Sequence, residues 1–310
     1  MTYIYYGHHK CASTWIRQII EQVFREAGYT YGMILDPQSP HDRGPLTNYR
    51  ESFSRDQLGV YLDRSGLDVL SCITADIQQA HALDGVQGFH VIRDPRDIIV
   101  SGYFSHRNSH SIDGLPHYAE HRKALQTVSK EEGLLLEMDF SAQCLQDLGA
   151  WNYEQDHILE VKMEDLTTSP YEVFLEIFEF LGLMSWEGVY LMREKTRHFL
   201  RTALNRFALR HPWIQSLRRR TPITGEMLLG RVYDLRFEKQ ARGRKAGQSD
   251  PNSHYRKGVA GDWVHHLTPA HVEYFNEKFG DLLIATGYET EPWTVERAET
   301  KRRALLTPSL

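Results

Sequence analysis

Cysteine is scarce: three residues (Cys11, Cys72, Cys144) in 310, widely spaced and without a C-x-x-C pair. That excludes a disulfide scaffold and a cysteine-based zinc ribbon. Long apolar runs are missing too; none approaches the roughly 18–20 residues of a membrane span. The opening Met1-Thr-Tyr-Ile-Tyr-Tyr6 has neither a charged n-region nor an apolar h-region, so no secretory signal is read there and a cytoplasmic location is expected. Internal repeats and low-complexity tracts are also absent. What remains is ordinary globular composition, 41% hydrophobic and 25% charged, long enough to build a core without staples.

Charge is unevenly distributed. Between Arg193 and Lys245 there are 15 Lys/Arg against 4 Asp/Glu, a local net of +11, which leaves −16 for the rest of a chain whose net is −5. A basic segment in an acidic chain points either to an anionic ligand handled locally or to a solvated helix face. The overall negative charge argues against nucleic-acid binding.

Periodicity predicts strands over residues 2–6, 29–35, 68–74, 88–92 and 158–162. Helices are predicted over 13–27, from about residue 76, over 97–107, over 170–181, over 190–222 and over 269–285. Alternating strands and helices imply an α/β fold, a parallel sheet flanked by helices. One domain over 1–310 is the simplest organisation, with a basic helical segment at 190–222 and a polar loop at 240–262.

Three turns carry cations. The first, Gly7-His-His-Lys-Cys-Ala-Ser-Thr14, lies between a strand and a helix, where backbone N–H groups and a helix N-terminus form an anion cradle. Lys10 adds a mobile charge, and Ser13 and Thr14 add hydroxyls. The order differs from G-x-x-x-x-G-K-[ST], and a plain helix N-cap accounts for the same residues. The second turn is Arg93-Asp-Pro-Arg-Asp97, again at a strand end, with Ser101 about two helical turns on; capping among Asp94, Arg96 and Asp97 is its structural alternative. The third, Tyr255-Arg-Lys-Gly258, joins Arg256 and Lys257 to a glycine that lets backbone approach an anion. Together the three suggest a ligand with two distinct anionic groups.

In order and spacing these segments resemble the PAPS-dependent sulfotransferases, whose donor is 3′-phosphoadenosine 5′-phosphosulfate. Lys162-Met-Glu-Asp-Leu166 resembles that family's Y-E-D-L run, with Met163 where a tyrosine is common. The resemblance implies a P-loop-like sulfotransferase fold. It places Lys10, Cys11, Ala12, Ser13 and Thr14 around the 5′-phosphosulfate, and Arg93, Ser101, Arg256, Lys257 and Gly258 around the 3′-phosphate. Trp15 and Phe237 take the positions that flank adenine. The reaction expected is sulfuryl transfer to a hydroxyl or amine on a small-molecule or glycan acceptor, without a metal, Lys10 stabilising the leaving phosphate. A nucleotide-dependent phosphotransferase and a catalytically silent nucleotide-binding module are the alternatives.

The catalytic histidine of the family's cytosolic small-molecule branch has no counterpart in Ser71-Cys-Ile-Thr-Ala-Asp76. Other branches use a Glu after the second strand, and the resemblance implies that Asp36, closest to that place with His41 five residues later, serves as general base. A turn-capping Asp before Pro37 is the alternative. His8, His9, His41 and His106 are candidates to line the acceptor pocket. The i,i+4 pairs His106/His110 and His117/His121 lack an H-E-x-x-H pattern and are not read as metal ligands. The family's dimerisation pattern is partly kept, Thr268 and Glu273 matching and Val264 and Pro269 not, so a homodimer is possible. Membrane contact is not expected. The amphipathic basic segment around Arg197–Arg220 is read as packing on the sheet and covering the donor.

Overall fold

The computed structural model describes residues 2–34, 66–75, 77–80, 83, 85–184 and 192–306. Five parallel strands form its sheet: β1 (Thr2–Gly7), β2 (Tyr31–Ile34), β3 (Val69–Cys72), β4 (Val86–Ile92) and β5 (Ile158–Lys162), in the order β2-β3-β1-β4-β5. β1 lies at the centre, pairing Tyr6 with Cys72 on one side and His90 on the other. From β1 the chain crosses to the edge strand β2, returns inward through β3 to the side of β1, and then crosses over to β4 and β5 on the other side. That reversal opens a crevice beyond the carboxyl ends of β1 and β4.

Both faces of the sheet are covered, as a parallel sheet requires. Alternation along β1 sends Tyr5 to one face and Ile4 and Tyr6 to the other. On the first face α1 (Ser13–Glu26) buries Ile16, Ile19, Ile20, Val23 and Phe24 beside helices Pro170–Phe180 and Gly225–Asp234. On the second, Tyr6 packs against Trp151. Helices α3 (Pro95–Phe104), α5 (Lys130–Phe140) and α12 (Pro269–Phe279) share a neighbouring core with Trp263 and Trp293. Between α1 and α3 lies the four-residue α2 (Ile77–Ala80), and between α3 and α5 lies α4 (Pro116–Thr127). Between α5 and α12 come α6 (Ala142–Ala150), α7 (Met163–Thr168), α8 (Pro170–Phe180), α9 (Met192–Arg210), α10 (Gly225–Asp234) and α11 (Phe237–Gln240).

The α/β class and parallel sheet are as expected, and so are all five strands: β2 and β3 are shorter than predicted, β1 and β4 longer, and β5 has the predicted bounds. Two helical readings are corrected. The continuous helix over 190–222 stops at Arg210, because Pro212 cannot donate to the helix; a short 3₁₀ turn, Pro212–Leu217, follows. The last predicted helix ends at Phe279, where Gly280 turns into positive φ, and two more follow: α13 (Leu282–Ala285) and α14 (Val295–Leu306). Helices α4, α5, α6, α7, α10 and α11 were not read from the sequence, although Ser129 and Glu132 form a reciprocal capping box at the start of α5.

Much of the basic segment is tied to the first strand–helix unit. Arg206 and Arg231 both pair with Glu26, Arg220 pairs with Asp68, and Arg218 donates to the carbonyls of Arg25 and Tyr29 at 2.9 and 2.8 Å. The far face of α9 and the following turn leaves Phe199, Leu200, Phe207 and Trp213 largely exposed. Among the described residues no helix is long and apolar enough to cross a membrane.

Candidate functional site

The loop from Gly7 to Ala12 leaves β1 through two left-handed residues, Lys10 (φ 65°) and Ala12 (φ 56°). Neither is glycine, so the loop holds conformations that side chains disfavour, a cost commonly concentrated at functional sites. Ala12 is the residue before α1. Among the described residues the N–H groups of Ala12, Ser13 and Thr14 find no acceptor, while the Ala12 carbonyl already takes the N–H groups of Trp15 and Ile16. Three free donors at a helix N-terminus beside a lysine make a cradle for an oxyanion. Burial, reinforced by the nearby Arg93 charge, lowers the Lys10 ammonium to about 8.

Arg93 arrives from the end of β4. Its guanidinium is buried and donates to the Lys10 carbonyl at 3.0 Å, so the first two cationic turns meet. Its Nε is buried with no partner among the described residues. Asp97, one turn into α3, lies 3.9 Å from Arg93 and accepts the N–H groups of Gly261 and Trp263 at 2.6 and 3.0 Å. That carboxylate therefore docks the third turn against the second. Burial raises it to about 6 despite Arg93.

Within the third turn Arg256 and Lys257 both pair with the buried Asp262, Arg256 at 2.5 Å, and His266 joins at 3.2 Å. Arg244 donates to the carbonyls of Tyr255 and Arg256, bracing the loop from the opposite side. Gly258 has φ +68°, and a Cβ there would sit 2.5 Å from the Phe237 ring. Trp15 donates to the Leu235 carbonyl at 2.8 Å, which brings the two aromatic candidates to adjoining positions.

The structure thus brings Arg93 and Arg256 near enough for their charges to act on Lys10, holds Lys257 beside Arg256 on Asp262, sets Gly258 against Phe237, and ties Trp15 to Leu235. Ser101 is partly buried on α3, one turn after Asp97. Asp94 and Arg96 turn away: Arg96 stacks on Trp263 and Trp293 and pairs with Asp94 and Glu289, a structural latch. Cys11 is fully buried. Asp36 and His41 lie outside the described residues. Sequence reasoning missed Asp97, Arg244 and Asp262. Asp97 reaches partners on a distant segment, while Asp262 and Arg244 pair within their own loop, which has no periodicity to mark the pairing.

Beside Lys10 lies a histidine cluster. His9 Nε2 is 2.8 Å from His106 Nε2, and His106 Nδ1 is 2.9 Å from both oxygens of Glu137. His121 Nε2 and Ser141 Oγ also donate to Glu137, each at 2.8 Å. Burial alone would raise Glu137, but His106 and His121 bring it down to about 2, so it is ionised. Gly102 makes the space: a Cβ there would lie 2.2 Å from Glu137 Oε1. His8 forms a parallel ladder, 2.8 Å from His90, which in turn sits 2.7 Å from Glu160. His8 and His90 are both sealed in the core, so His8 does not line an acceptor pocket.

A sulfotransferase-domain family model matches residues 86–204, a span that holds Arg93, Ser101, His106 and Glu137. The resemblance read from the sequence is thereby met over that span. A search of curated proteins found no match. Among solved structures the chain is similar to the mouse sulfotransferase SULT7A1 complexed with PAP, at 16% identity over 93% of this chain and 88% of that one, TM-score 0.48. It is also similar to retinol dehydratase in complex with androsterone and inactive cofactor PAP, at 15% identity over 91% and 80%, TM-score 0.44.

Proposed function

We propose that this chain, matched over residues 86–204 to the sulfotransferase domain, moves a sulfuryl group from PAPS to a hydroxyl or amine acceptor. The observation that carries the reading is the junction of three cationic turns, with Arg93 bonded to the Lys10 carbonyl and Asp97 bonded to the Gly261 and Trp263 amides. Two anionic groups on one ligand would use it fully. The 5′-phosphosulfate would take the free N–H groups at Ala12, Ser13 and Thr14, with Lys10. The 3′-phosphate would take Arg93, Ser101 and the Arg256–Gly258 turn.

The buried, unpartnered Arg93 Nε and the cradle at Gly258 fit such a donor. Asp262 keeps Arg256 and Lys257 in place while no phosphate claims them. Sulfuryl transfer passes through a loose, in-line transition state that needs positioning and charge stabilisation. Lys10 meets the charge growing on the leaving 5′-phosphate. Nothing in that step requires a metal. In this reading the acceptor is a small molecule or glycan, the protein acts in the cytoplasm as one domain, and a homodimer is compatible with it.

The test is thermal unfolding with 3′-phosphoadenosine 5′-phosphate, compared with 5′-AMP and ATP–Mg²⁺. Ligand at about 100 times its dissociation constant adds roughly 2.7 kcal/mol to the native state. The expected shift is specific to the 3′,5′-bisphosphate and disappears in Lys10→Ala and Arg93→Ala. A shift with ATP–Mg²⁺ alone would transfer the site to phosphoryl chemistry, and bisphosphate binding without transfer to any acceptor would mark a silent module.

A further inference from the structure

The His9–His106–Glu137 ladder has a direction that follows from its hydrogen bonds. Glu137 is an ionised acceptor, so the His106 nitrogen facing it, Nδ1, carries a proton. Burial keeps His106 neutral, so its Nε2 is a bare lone pair. The only bond His9 can make to that lone pair at 2.8 Å is to donate from its own Nε2–H. His9 is also held neutral by burial and by His106 and Lys10, which leaves its Nδ1 unprotonated. That Nδ1 makes no hydrogen bond to the described residues, and the ring is only partly buried.

The ladder therefore ends in an open, unprotonated nitrogen on the residue next to Lys10. The His8–His90–Glu160 ladder has the same parts but both rings enclosed, so it offers no such end. Of these two ladders among the described residues, the His9 one combines an ionised carboxylate, three donors holding it and a partly open terminal ring. Its members come from three elements: the β1 loop, the turn after α3, and α5.

Resting on the sulfuryl-transfer reading, we infer that His9 Nδ1 is the acceptor of the nucleophile's proton, with His106 and Glu137 as its positioning residues. In the step, the acceptor oxygen bonds to sulfur while its proton passes to His9 Nδ1. The sulfur–oxygen bond to the 5′-phosphate breaks, and its electron pair leaves on the phosphate oxygen beside Lys10. The imidazolium formed on His9 hands its Nε2 proton toward His106, whose charge Glu137 offsets. Product is the sulfated acceptor plus 3′-phosphoadenosine 5′-phosphate, and the proton returns to solvent. The groups facing His9 are Lys10, His106, His110, His254 and the ring of Tyr118.

Three readouts test this. The first is long-range ¹H–¹⁵N correlation of histidine-labelled full chain with 3′-phosphoadenosine 5′-phosphate. His9 should appear as the Nε2–H tautomer and His106 as Nδ1–H, the latter mixed in Glu137→Gln and recovered in Glu137→Asp. The opposite tautomer at His9 would overturn the assignment, whether or not the protein is a sulfotransferase. The second is transfer from PAPS to 2-naphthol and to 4-nitrophenol, the latter already ionised at mildly alkaline pH. His9→Gln should lose about 100-fold or more with 2-naphthol and under about tenfold with 4-nitrophenol. The third is the bisphosphate thermal shift, which His9→Gln should retain.

Equal losses with both phenols, or the same signature in Asp36→Asn instead, would overturn the role of His9. Turnover abolished by chelation and restored by Zn²⁺ would overturn it in favour of a metal held by His9, His106 and His110. Absence of any bisphosphate shift in the parent, or of transfer to either phenol, fails the sulfotransferase reading itself and leaves the tautomer measurement to decide the ladder.

Discussion

Lys10 carries two burdens at once. It sits in left-handed backbone, and burial, reinforced by the Arg93 and Arg256 charges, lowers its ammonium to about 8. A lysine poised this way gains most from an arriving anion. Below pH 8 it is already protonated, so the bisphosphate finds its cation ready. Above pH 8 the free protein loses that proton and binding must restore it, so affinity should fall by up to tenfold per pH unit until the proton leaves the complex as well. Calorimetric titrations in two buffers of different ionisation heat, at neutral pH and above pH 8, would show proton uptake only in the second. Lys10→Arg should bind with a flat profile over the same range. An affinity in the parent that does not change across pH 8 would remove Lys10 from the ligand's contacts.

The elements that carry the site differ in how openly the sequence announces them. β1, β4 and β5 are short apolar runs bounded by turns, and α1 shows its buried stripe at helical spacing, so the central frame was legible. Lys10 and Arg93 were legible for the same reason, since each follows a strand whose end could be read, and Arg256 was legible from the Arg-Lys-Gly run inside a polar loop. Asp97 and Glu137 were not, because a carboxylate that latches a distant loop or orients a histidine on another element has no local pattern, and Asp262 was not because its near neighbours Arg256 and Lys257 lie in a loop without periodicity. Arg96 shows the converse error open to sequence reading, since it sits in the same Arg93–Asp97 turn and yet packs beneath Trp263. Gly258 gives the loop-scale prediction. Alanine there combines left-handed backbone with a Cβ 2.5 Å from Phe237, so Gly258→Ala should cost about 1–2 kcal/mol and weaken bisphosphate binding more than AMP binding. Differential scanning calorimetry with and without each ligand would separate the two effects. Equal loss of both ligands would place the damage at Phe237, proposed to flank adenine, and not in the turn proposed to hold the 3′-phosphate.

At the scale of the molecule the question is whether the basic second half folds as part of the sheet domain. Its ties to the first unit are specific. Glu26, at the end of α1 and largely buried, takes Arg206 from α9 and Arg231 from α10 on its two oxygens, while Asn205 donates to the Glu26 carbonyl at 3.0 Å. Thr221 N–H donates to the Ala27 carbonyl at 2.8 Å. On the other face, Trp263 and Phe275 share a core with Ile98 and Leu134, so the segments after residue 260 also close over the sheet. Contacts spread this way predict one cooperative unit. Urea unfolding followed by tryptophan fluorescence and by far-ultraviolet circular dichroism should give superimposable transitions. Glu26→Gln leaves two arginines with a neutral partner. Arg206 is half exposed and Arg231 less so, which places the cost between the surface and buried limits, at about 1–2 kcal/mol. The midpoint should drop while the two probes stay superimposed. Probes that separate in the variant would show instead that α9 and α10 form a unit able to unfold while the sheet remains, and that Glu26 is the hinge pin between them.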